Sequence, residues 1–172
     1  ARKARYKIFK KYLKEGEQIL LGHHSNDVTE TFLLRLFRGT GVDGLESLPI
    51  KRNVGVGYLV RPLIKLTKKD ILNYLEVNKI NYIQDESNLE QEQDRNFVRN
   101  KIIPLIEQRW NKASSSIFNA SDFIKIKNQS FEILFQEKFS HLISNKIKVK
   151  DLREIHEPFM VDIIRLSIKK EN

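Results

Sequence analysis

The sequence predicts an α/β fold, in which a parallel sheet with flanking helices is followed by an α-helical region. Two observations carry this prediction. Over roughly the first 110 residues, helical patterns alternate with short apolar runs, an order typical of a parallel sheet. Beyond Trp110 these runs end, and helices are expected over residues 113–143 and about 158–168. We therefore expect an α/β domain over residues 1–110 and a helical domain over residues 111–172.

The chain begins with a predicted helix and a predicted strand. Residues 1–14 have the periodicity of an amphipathic helix, and Gly16 is favourable just beyond a helix end. Residues 18–21 are a short, largely apolar run that is closed by Gly22. Such a run between helices predicts a buried parallel strand.

A helix and a second strand are expected next. Ser25 or Asn26 is suited to cap a helix that ends before Arg38. Residues 54–63 alternate weakly between apolar and polar side chains and contain Pro62. This pattern predicts a strand or edge strand.

The following helix is marked by residues at both ends. Thr67 and Asp70 have the spacing of a capping box, and Asn78 suits the C-terminal cap. Residues 81–83 are expected to be extended, and residues 84–94 then hold five acidic and no basic side chains. A basic helix that meets a proline is expected after this acidic stretch.

The composition limits the classes of protein to which the chain can belong. With 172 residues, 40% of them hydrophobic, it is long enough to bury a core. It contains no cysteine, which excludes disulfides, thiolate catalysis and cysteine-bound metal centres within it and fits a cytoplasmic protein. No apolar run approaches a membrane span, so no membrane partner is expected. The formal net charge of +9 favours nucleic acid as a partner, although many solvated lysines would give the same sum.

The densest polar cluster covers residues 23–31, between the first strand and the next helix. Ligands bind at the carboxyl ends of parallel strands, so a site is expected here. Asp27 and Glu30 share a helix face and could hold a metal ion or a substrate ammonium, while His24 could join them or transfer a proton. Alternatively, the carboxylates only complement the positive helix N-terminus. The spacing is not that of a zinc motif, and we predict no metal-binding residue.

Two further clusters contain arginine. The run Arg38-Gly39-Thr40-Gly41 could bring backbone amides and a positive charge to an oxyanion, or it could be a helix C-cap followed by a turn. Arg95 and Arg99 are four residues apart on a helix that meets Pro104. They could grip a triphosphate or an RNA backbone, or the preceding acidic stretch could neutralise them.

Together and in this order, these clusters resemble the tRNA(Ile)-lysidine synthetases of the PP-loop (N-type) ATP pyrophosphatase family. The matching stretches are Leu21-Gly22-His23-His24 through Glu30-Thr31, Leu33 through Gly41, Gly44-Leu45, Arg61-Pro62-Leu63, Asp85-Glu86-Ser87-Asn88, Arg95-Asn96-Phe97-Val98-Arg99 and Pro104-Leu105. The resemblance implies a Rossmann-like domain, similar to the adenine nucleotide alpha hydrolases, over about residues 1–110. The helical remainder fits the family's following, tRNA-binding domain.

The resemblance implies a ligase that forms a carbon–nitrogen bond in two steps. ATP adenylates the C2 oxygen of the wobble cytidine in the CAU anticodon of tRNA(Ile) and releases pyrophosphate. The ε-amine of L-lysine then attacks C2, AMP leaves, and the product is lysidine. The implied partners are tRNA(Ile), ATP and L-lysine, and Mg²⁺ would help neutralise the phosphates. The oligomeric state is left open, with a homodimer as one option.

The resemblance also implies roles for individual residues. Asp27 and Glu30 would hold the ammonium groups of lysine, His24 would lie in the same active-site loop, and Arg95 would reach the ATP phosphates or the reacting centre. The residues implied in substrate or nucleotide binding are His23, Asn26, Arg38, Gly39, Thr40, Gly41, Asn96 and Arg99.

The sequence departs from the family pattern His-His-x-Asp-Asp-Gln-x-Glu-Thr at two positions. Asn26 stands in place of the first Asp and Val28 in place of Gln, with consequences that the sequence leaves open. The Ser-Gly-Gly-x-Asp-Ser pyrophosphate loop and most of the family's C-terminal region are not in the sequence. We therefore expect a fragment that is inactive alone.

Other classes of protein remain open. A PP-loop enzyme that thiolates tRNA typically uses cysteines, and this chain has none. A non-catalytic tRNA-binding module would keep the basic surfaces without the chemistry. A plain basic α/β domain would tolerate the loss of Asp27.

Overall fold

The computed structural model describes residues 2–83, 94–144 and 146–171. The described elements, in chain order, are α1 (Arg2–Tyr12), β1 (Gln18–Leu20), α2 (Ser25–Phe37), α3 (Val42–Leu45), β2 (Lys51–Val54), β3 (Gly57–Val60), α4 (Lys68–Val77), α5 (Asp94–Phe97), a π-helical segment (Val98–Ile102), α6 (Ile103–Arg109), α7 (Ala113–Phe139), a 3₁₀ turn (Ser140–Leu142), α8 (Val149–Leu152) and α9 (Glu157–Glu171). Among them, no helix is long and apolar enough to cross a membrane.

The chain forms two compact units, Ala1–Lys125 and Ile126–Asn172. The division falls within α7, beyond the boundary expected from the sequence, and the assignment of domains to residues 1–110 and 111–172 remains a proposal. In the second unit, the buried core consists of Phe135, Phe139, Ile143 and Ile163.

The sheet in the described part of the chain has three strands in the order β1-β3-β2. β1 pairs with β3 in parallel, with Ile19 opposite Leu59, whereas β2 pairs with β3 antiparallel, with Arg52 opposite Leu59. The prediction of an α/β fold is therefore correct, but the sheet is small and mixed rather than parallel. Most of the described residues are helical.

The difference arises because the predicted strand over residues 54–63 is part of a hairpin. The chain turns at Gly55, whose φ of +60° lies in the left-handed region that glycine adopts without strain. Val54 therefore ends β2, and β3 ends at Val60, before Pro62. The sequence did not predict β2, because most of its residues are polar or charged. Such residues are tolerated in a strand at the edge of a sheet.

Gly57, at the start of β3, lies where no side chain fits. A Cβ added there would lie 2.5 Å from Leu13 Cδ2 and 2.6 Å from the carbonyl oxygen of Glu17. Because a backbone atom cannot rotate away, we expect Gly57→Ala to lower the free energy of unfolding by about 1–3 kcal/mol in urea denaturation. Gly22→Ala is the control, since a Cβ there meets nothing within 4 Å. Equal losses in the two variants would contradict this packing.

The ends of α4 confirm the sequence prediction. The Thr67 hydroxyl accepts a hydrogen bond from the Asp70 N–H at 3.1 Å, and the Thr67 N–H donates to Asp70 Oδ2 at 2.9 Å. Asn78 caps the other end, where its Nδ2 donates to the Tyr74 carbonyl at 2.8 Å. These short-range contacts are fixed by local sequence alone.

The core of the first unit holds α2 against the π-helical segment. Leu33 packs with Val98 and Ile103 in one buried cluster. The π-helical segment ends at Ile102, two residues before Pro104, and the Ile103 N–H donates to the carbonyl of Val98, five residues earlier. The wider turn suits a proline, which lacks an N–H and crowds the preceding turn. This packing brings the first turn of α2 close to the basic helix.

The acidic stretch predicted over residues 84–94 lies outside the described residues except for Asp94, and so does the motif Asp85-Glu86-Ser87-Asn88. Residues 81–83, expected to be extended, have no regular secondary structure.

Candidate active site

The site is built on the first turn of α2, just beyond β1. The residue at the N-cap is His24, whose backbone N–H donates to Asp27 Oδ2 at 2.9 Å. The prediction of Ser25 or Asn26 as the cap is wrong, because both lie within the helix. The Ser25 N–H is taken instead by the Leu66 carbonyl at 2.8 Å.

Two carboxylates and two guanidinium groups form one cluster at this turn. Arg95 bridges the acids, with Nη2 2.8 Å from Asp27 Oδ1 and Nε 2.8 Å from Glu30 Oε2. Arg99 donates to both oxygens of Glu30, from Nε at 2.6 Å and from Nη2 at 2.9 Å. Asp27 is 7% exposed and Glu30 only 1% exposed. Each buried carboxylate is paired with guanidinium groups, and the four formal charges of the cluster cancel.

The structure brings together the two helix faces that the sequence spacing predicted. Asp27 and Glu30 lie on one face of α2, and Arg95 and Arg99 meet them from α5 and the π-helical segment. Asp27 also accepts the His24 N–H, so it complements the helix N-terminus as well as binding arginine. The hydrogen bonds that Arg99 donates to Glu30 raise the pKa of Arg99, which keeps this guanidinium charged.

The two histidines before α2 are held in their neutral form. Burial lowers the pKa of both His23 and His24, and the nearby Asp27 opposes this only in part. His24 Nε2 lies 3.5 Å from Asp27 Oδ2. The Nδ1 atoms of both rings are buried and have no hydrogen-bond partner among the described residues. Neutral imidazole beside a carboxylate can accept a proton.

These lowered pKa values predict that stability falls as the pH decreases. Below the ordinary value of 6.5, the unfolded chain binds more protons at His23 and His24 than the folded chain does. Their contribution to stability is therefore complete above pH 6.5 and is lost as the pH falls below this value. In urea denaturation at pH 7, 6 and 5, the double variant His23→Gln, His24→Gln should lose less stability than the wild type. Measurements at pH 8 give the pH-independent effect of the substitutions, and parallel losses below pH 7 would contradict this prediction.

A cavity of about 470 Å³ opens beside the cluster. Four residues of its wall belong to the predicted site: His24, Asn26, Glu30 and Arg99. Others were not singled out from the sequence, among them Lys68 and Glu107. Glu107 follows Arg99 by eight residues, a helical spacing that was available in the sequence, whereas no local signal marks Lys68.

Asn26 joins α2 to α4. Its Oδ1 accepts a hydrogen bond from the backbone N–H of Lys68 at 2.9 Å. The amide oxygen of asparagine can accept this hydrogen bond as the carboxylate oxygen of aspartate would. The replacement of the family's Asp by Asn26 therefore preserves a hydrogen bond at the N-terminus of α4. Val28, the other departure, is buried in the core.

The run from Arg38 to Gly41 has the C-cap structure that was the alternative prediction. Arg38 caps α2, Gly39 has a φ of +70°, and the Thr40 N–H donates to the Arg35 carbonyl. Arg38 Nη2 lies 2.9 Å from Asp94 Oδ2 in an exposed ion pair. These four residues belong neither to the ionic cluster nor to the cavity wall.

The remaining predicted residue, Asn96, is buried in α5, where it is 7% exposed. It lies between the two arginines in sequence, on the same short helix as Arg95.

The described residues do not fit a metal ion. Within the described ranges, no group of three or more His, Cys, Asp or Glu side chains is placed to hold one. The two carboxylates expected to be available, Asp27 and Glu30, are already paired with arginine.

Comparison with known proteins identifies the family. The PP-loop domain matches residues 1–106. The chain belongs to the PP-loop domain family. The cluster and the cavity wall lie within this PP-loop domain except for Glu107, which follows it directly.

Relatives of this PP-loop protein confirm the resemblance that the motifs indicated. A tRNA(Ile)-lysidine synthase of Coxiella burnetii is 47% identical over 110 residues, which cover 64% of this chain and 24% of the relative. One of Legionella pneumophila strain Lens is 30% identical over 172 residues, 99% of this chain and 40% of the relative. One of Idiomarina loihiensis is 38% identical over 138 residues, 80% of this chain and 31% of the relative. The chain thus spans 24–40% of the length of these relatives.

Proposed function

We propose that the protein containing this chain is a tRNA(Ile)-lysidine synthetase, a cytoplasmic ligase that joins L-lysine to C2 of the wobble cytidine with ATP. The observation that carries the proposal is the buried cluster of Asp27, Glu30, Arg95 and Arg99 beside a cavity. The motifs predicted these residues, and the relatives named for this activity support the assignment.

Arg95 and Arg99 are suited to bind anionic groups. ATP would supply the adenylyl group that turns the cytidine oxygen into a leaving group. Arg95 is 41% exposed and Arg99 28% exposed, so both can reach a ligand while the carboxylates fix their orientation. Guanidinium donors that are oriented before the reaction stabilise charge that develops on phosphate or on departing AMP. Arg38, Gly39, Thr40, Gly41 and Asn96 complete the proposed nucleotide- and RNA-facing residues.

The acids and His24 are proposed to receive the lysine side chain. Asp27 and Glu30 would accept hydrogen bonds from its ammonium group. Arginine side chains already neutralise both carboxylates, so the cluster does not strongly favour the charged form of the lysine side chain. The neutral amine, which is the nucleophile, can therefore form. His24, held neutral by burial, would take the proton.

The charge on α1 supports contact with the tRNA backbone. Lys7, Lys10 and Lys11 on α1, and Lys14 just beyond its end, are exposed. None of them forms an ion pair with any described carboxylate, so their charge is available to phosphates. Such contacts weaken as salt concentration rises.

ATP turnover by the whole protein tests this proposal. Release of pyrophosphate should require tRNA with a CAU anticodon, and release of AMP should require L-lysine as well. Transfer of sulfur to tRNA without a need for lysine would indicate the thiolation branch. Tight tRNA binding without ATP turnover would indicate a binding module. Mg²⁺ belongs to this proposal only as a counterion of the ATP phosphates.

A further inference from the structure

Two charged side chains of the cavity wall take no part in the ionic cluster. They are Glu107 on α6 and Lys68 at the start of α4. Among the described residues, neither lies within ion-pair distance of an opposite charge. Since the charges of the cluster cancel, these two are the charges on the wall that a ligand can still neutralise.

Glu107 is held in place from one side. One of its oxygens, Oε1, accepts a hydrogen bond from the Ser114 hydroxyl. The Ser114 carbonyl accepts in turn from the hydroxyl of Thr29 at 3.0 Å, and Thr29 is fully buried. The carboxylate is therefore fixed against α2, and its second oxygen can accept a hydrogen bond from a ligand.

Lys68 is fixed at its backbone but not at its ammonium group. Its N–H donates to Asn26 Oδ1, itself on the cavity wall, while the residue as a whole is exposed. The wall also includes the apolar residues Ile103 and Pro104. One carboxylate and one ammonium on a wall with apolar surface match a small zwitterion with an aliphatic chain.

We infer that Glu107 binds the α-ammonium group and Lys68 the α-carboxylate of the amino-acid substrate. The side-chain amine of that substrate is then left for His24 and Glu30, which belong to the same wall. This inference rests on the proposed function and names the residues that recognise the amino-acid end of lysine. Glu107 and Lys68 would thus recognise the amino-acid end of the substrate, whereas the ionic cluster would bind the amine that reacts.

The test compares Glu107→Gln with the wild type in the whole protein. A charge-assisted hydrogen bond to the α-ammonium is lost, so KM for lysine should rise about 10- to 100-fold with kcat nearly unchanged. The lysine-independent release of pyrophosphate on tRNA should not change, because that step needs no amino acid. The ratio of KM for Nα-acetyl-lysine to KM for lysine should also fall. Glu76→Gln, an equal loss of charge on exposed α4, should leave KM within about twofold.

The outcomes separate this inference from the proposed function. A wild-type KM in Glu107→Gln overturns the inference, and so does an equal loss of both reaction steps. If Glu107→Gln does not fold, Lys68→Met is the second test, because Lys68 is exposed and its substitution should not disturb folding. In this variant KM for lysine should rise about tenfold. KM for cadaverine, which lacks the carboxylate, should stay the same. An unchanged KM for lysine in that variant overturns the inference. Absence of lysidine with the wild-type protein overturns the proposed function instead.

Discussion

Replacing Glu30 with alanine should lower the free energy of unfolding by about 3–5 kcal/mol. Glu30 is 1% exposed and accepts hydrogen bonds from Arg95 Nε and from Arg99 Nε and Nη2. Its removal takes away the carboxylate that the two half-buried guanidinium groups share and leaves Asp27 within ion-pair distance of both. Breaking a buried ion pair from one side costs far more than the pair contributes as a whole, because the remaining charge is left desolvated.

Urea denaturation followed by circular dichroism measures this loss. Asp94→Asn is the matched control, since it breaks the pair between Asp94 and Arg38, in which both side chains are largely exposed. Exposed ion pairs contribute about 0–1 kcal/mol, so this variant should stay close to the wild type. A Glu30→Ala protein as stable as Asp94→Asn would show that the cluster does not stabilise the fold.

Replacing Arg95 with lysine should reduce kcat for lysidine formation about 100-fold or more, with a much smaller change in stability than Glu30→Ala causes. Arg95 reaches Asp27 through Nη2 and Glu30 through Nε, two donors of one planar group. A lysine keeps the charge but has a single nitrogen and cannot bridge both acids in this geometry. The donor that faces the reacting centre would therefore lose its fixed orientation.

The readout is kcat at saturating tRNA, ATP and lysine, so that weaker binding does not contribute. Arg109→Lys is the control, an exposed arginine outside the cavity wall, and its kcat should stay within about threefold of the wild type. Equal kcat values for the Arg95 and Arg109 variants would mean that Arg95 has only a structural role.

The two helix faces that form the ionic cluster could be predicted because the spacing within each pair of residues is local. Asp27 and Glu30 are three residues apart, and Arg95 and Arg99 four, so each pair shares a helix face whatever the surrounding fold. That the two pairs meet follows from the packing of Leu33 against Val98, which no single helix encodes. The family resemblance supplied the expectation that both pairs belong to one site.

Other features depend on contacts between distant segments. The cap of α2 was mispredicted because the Ser25 amide is taken by Leu66, some forty residues along the chain. β2 was missed because an outer strand needs little apolar surface. Lys68 lies on the cavity wall, and its backbone N–H donates to Asn26, a contact between two helices that periodicity within one helix cannot reveal.

The most direct test of the central claim is the detection of lysidine in tRNA. The whole protein is incubated with ATP, L-lysine and tRNA(Ile) bearing a CAU anticodon, and the nucleosides of the digested tRNA are separated by mass. The proposed function predicts lysidine at the wobble position with the wild-type protein and none with Asp27→Ala, because this substitution removes the carboxylate that binds Arg95. Unmodified cytidine after turnover of ATP by the wild type, or wild-type yields of lysidine from Asp27→Ala, would contradict it.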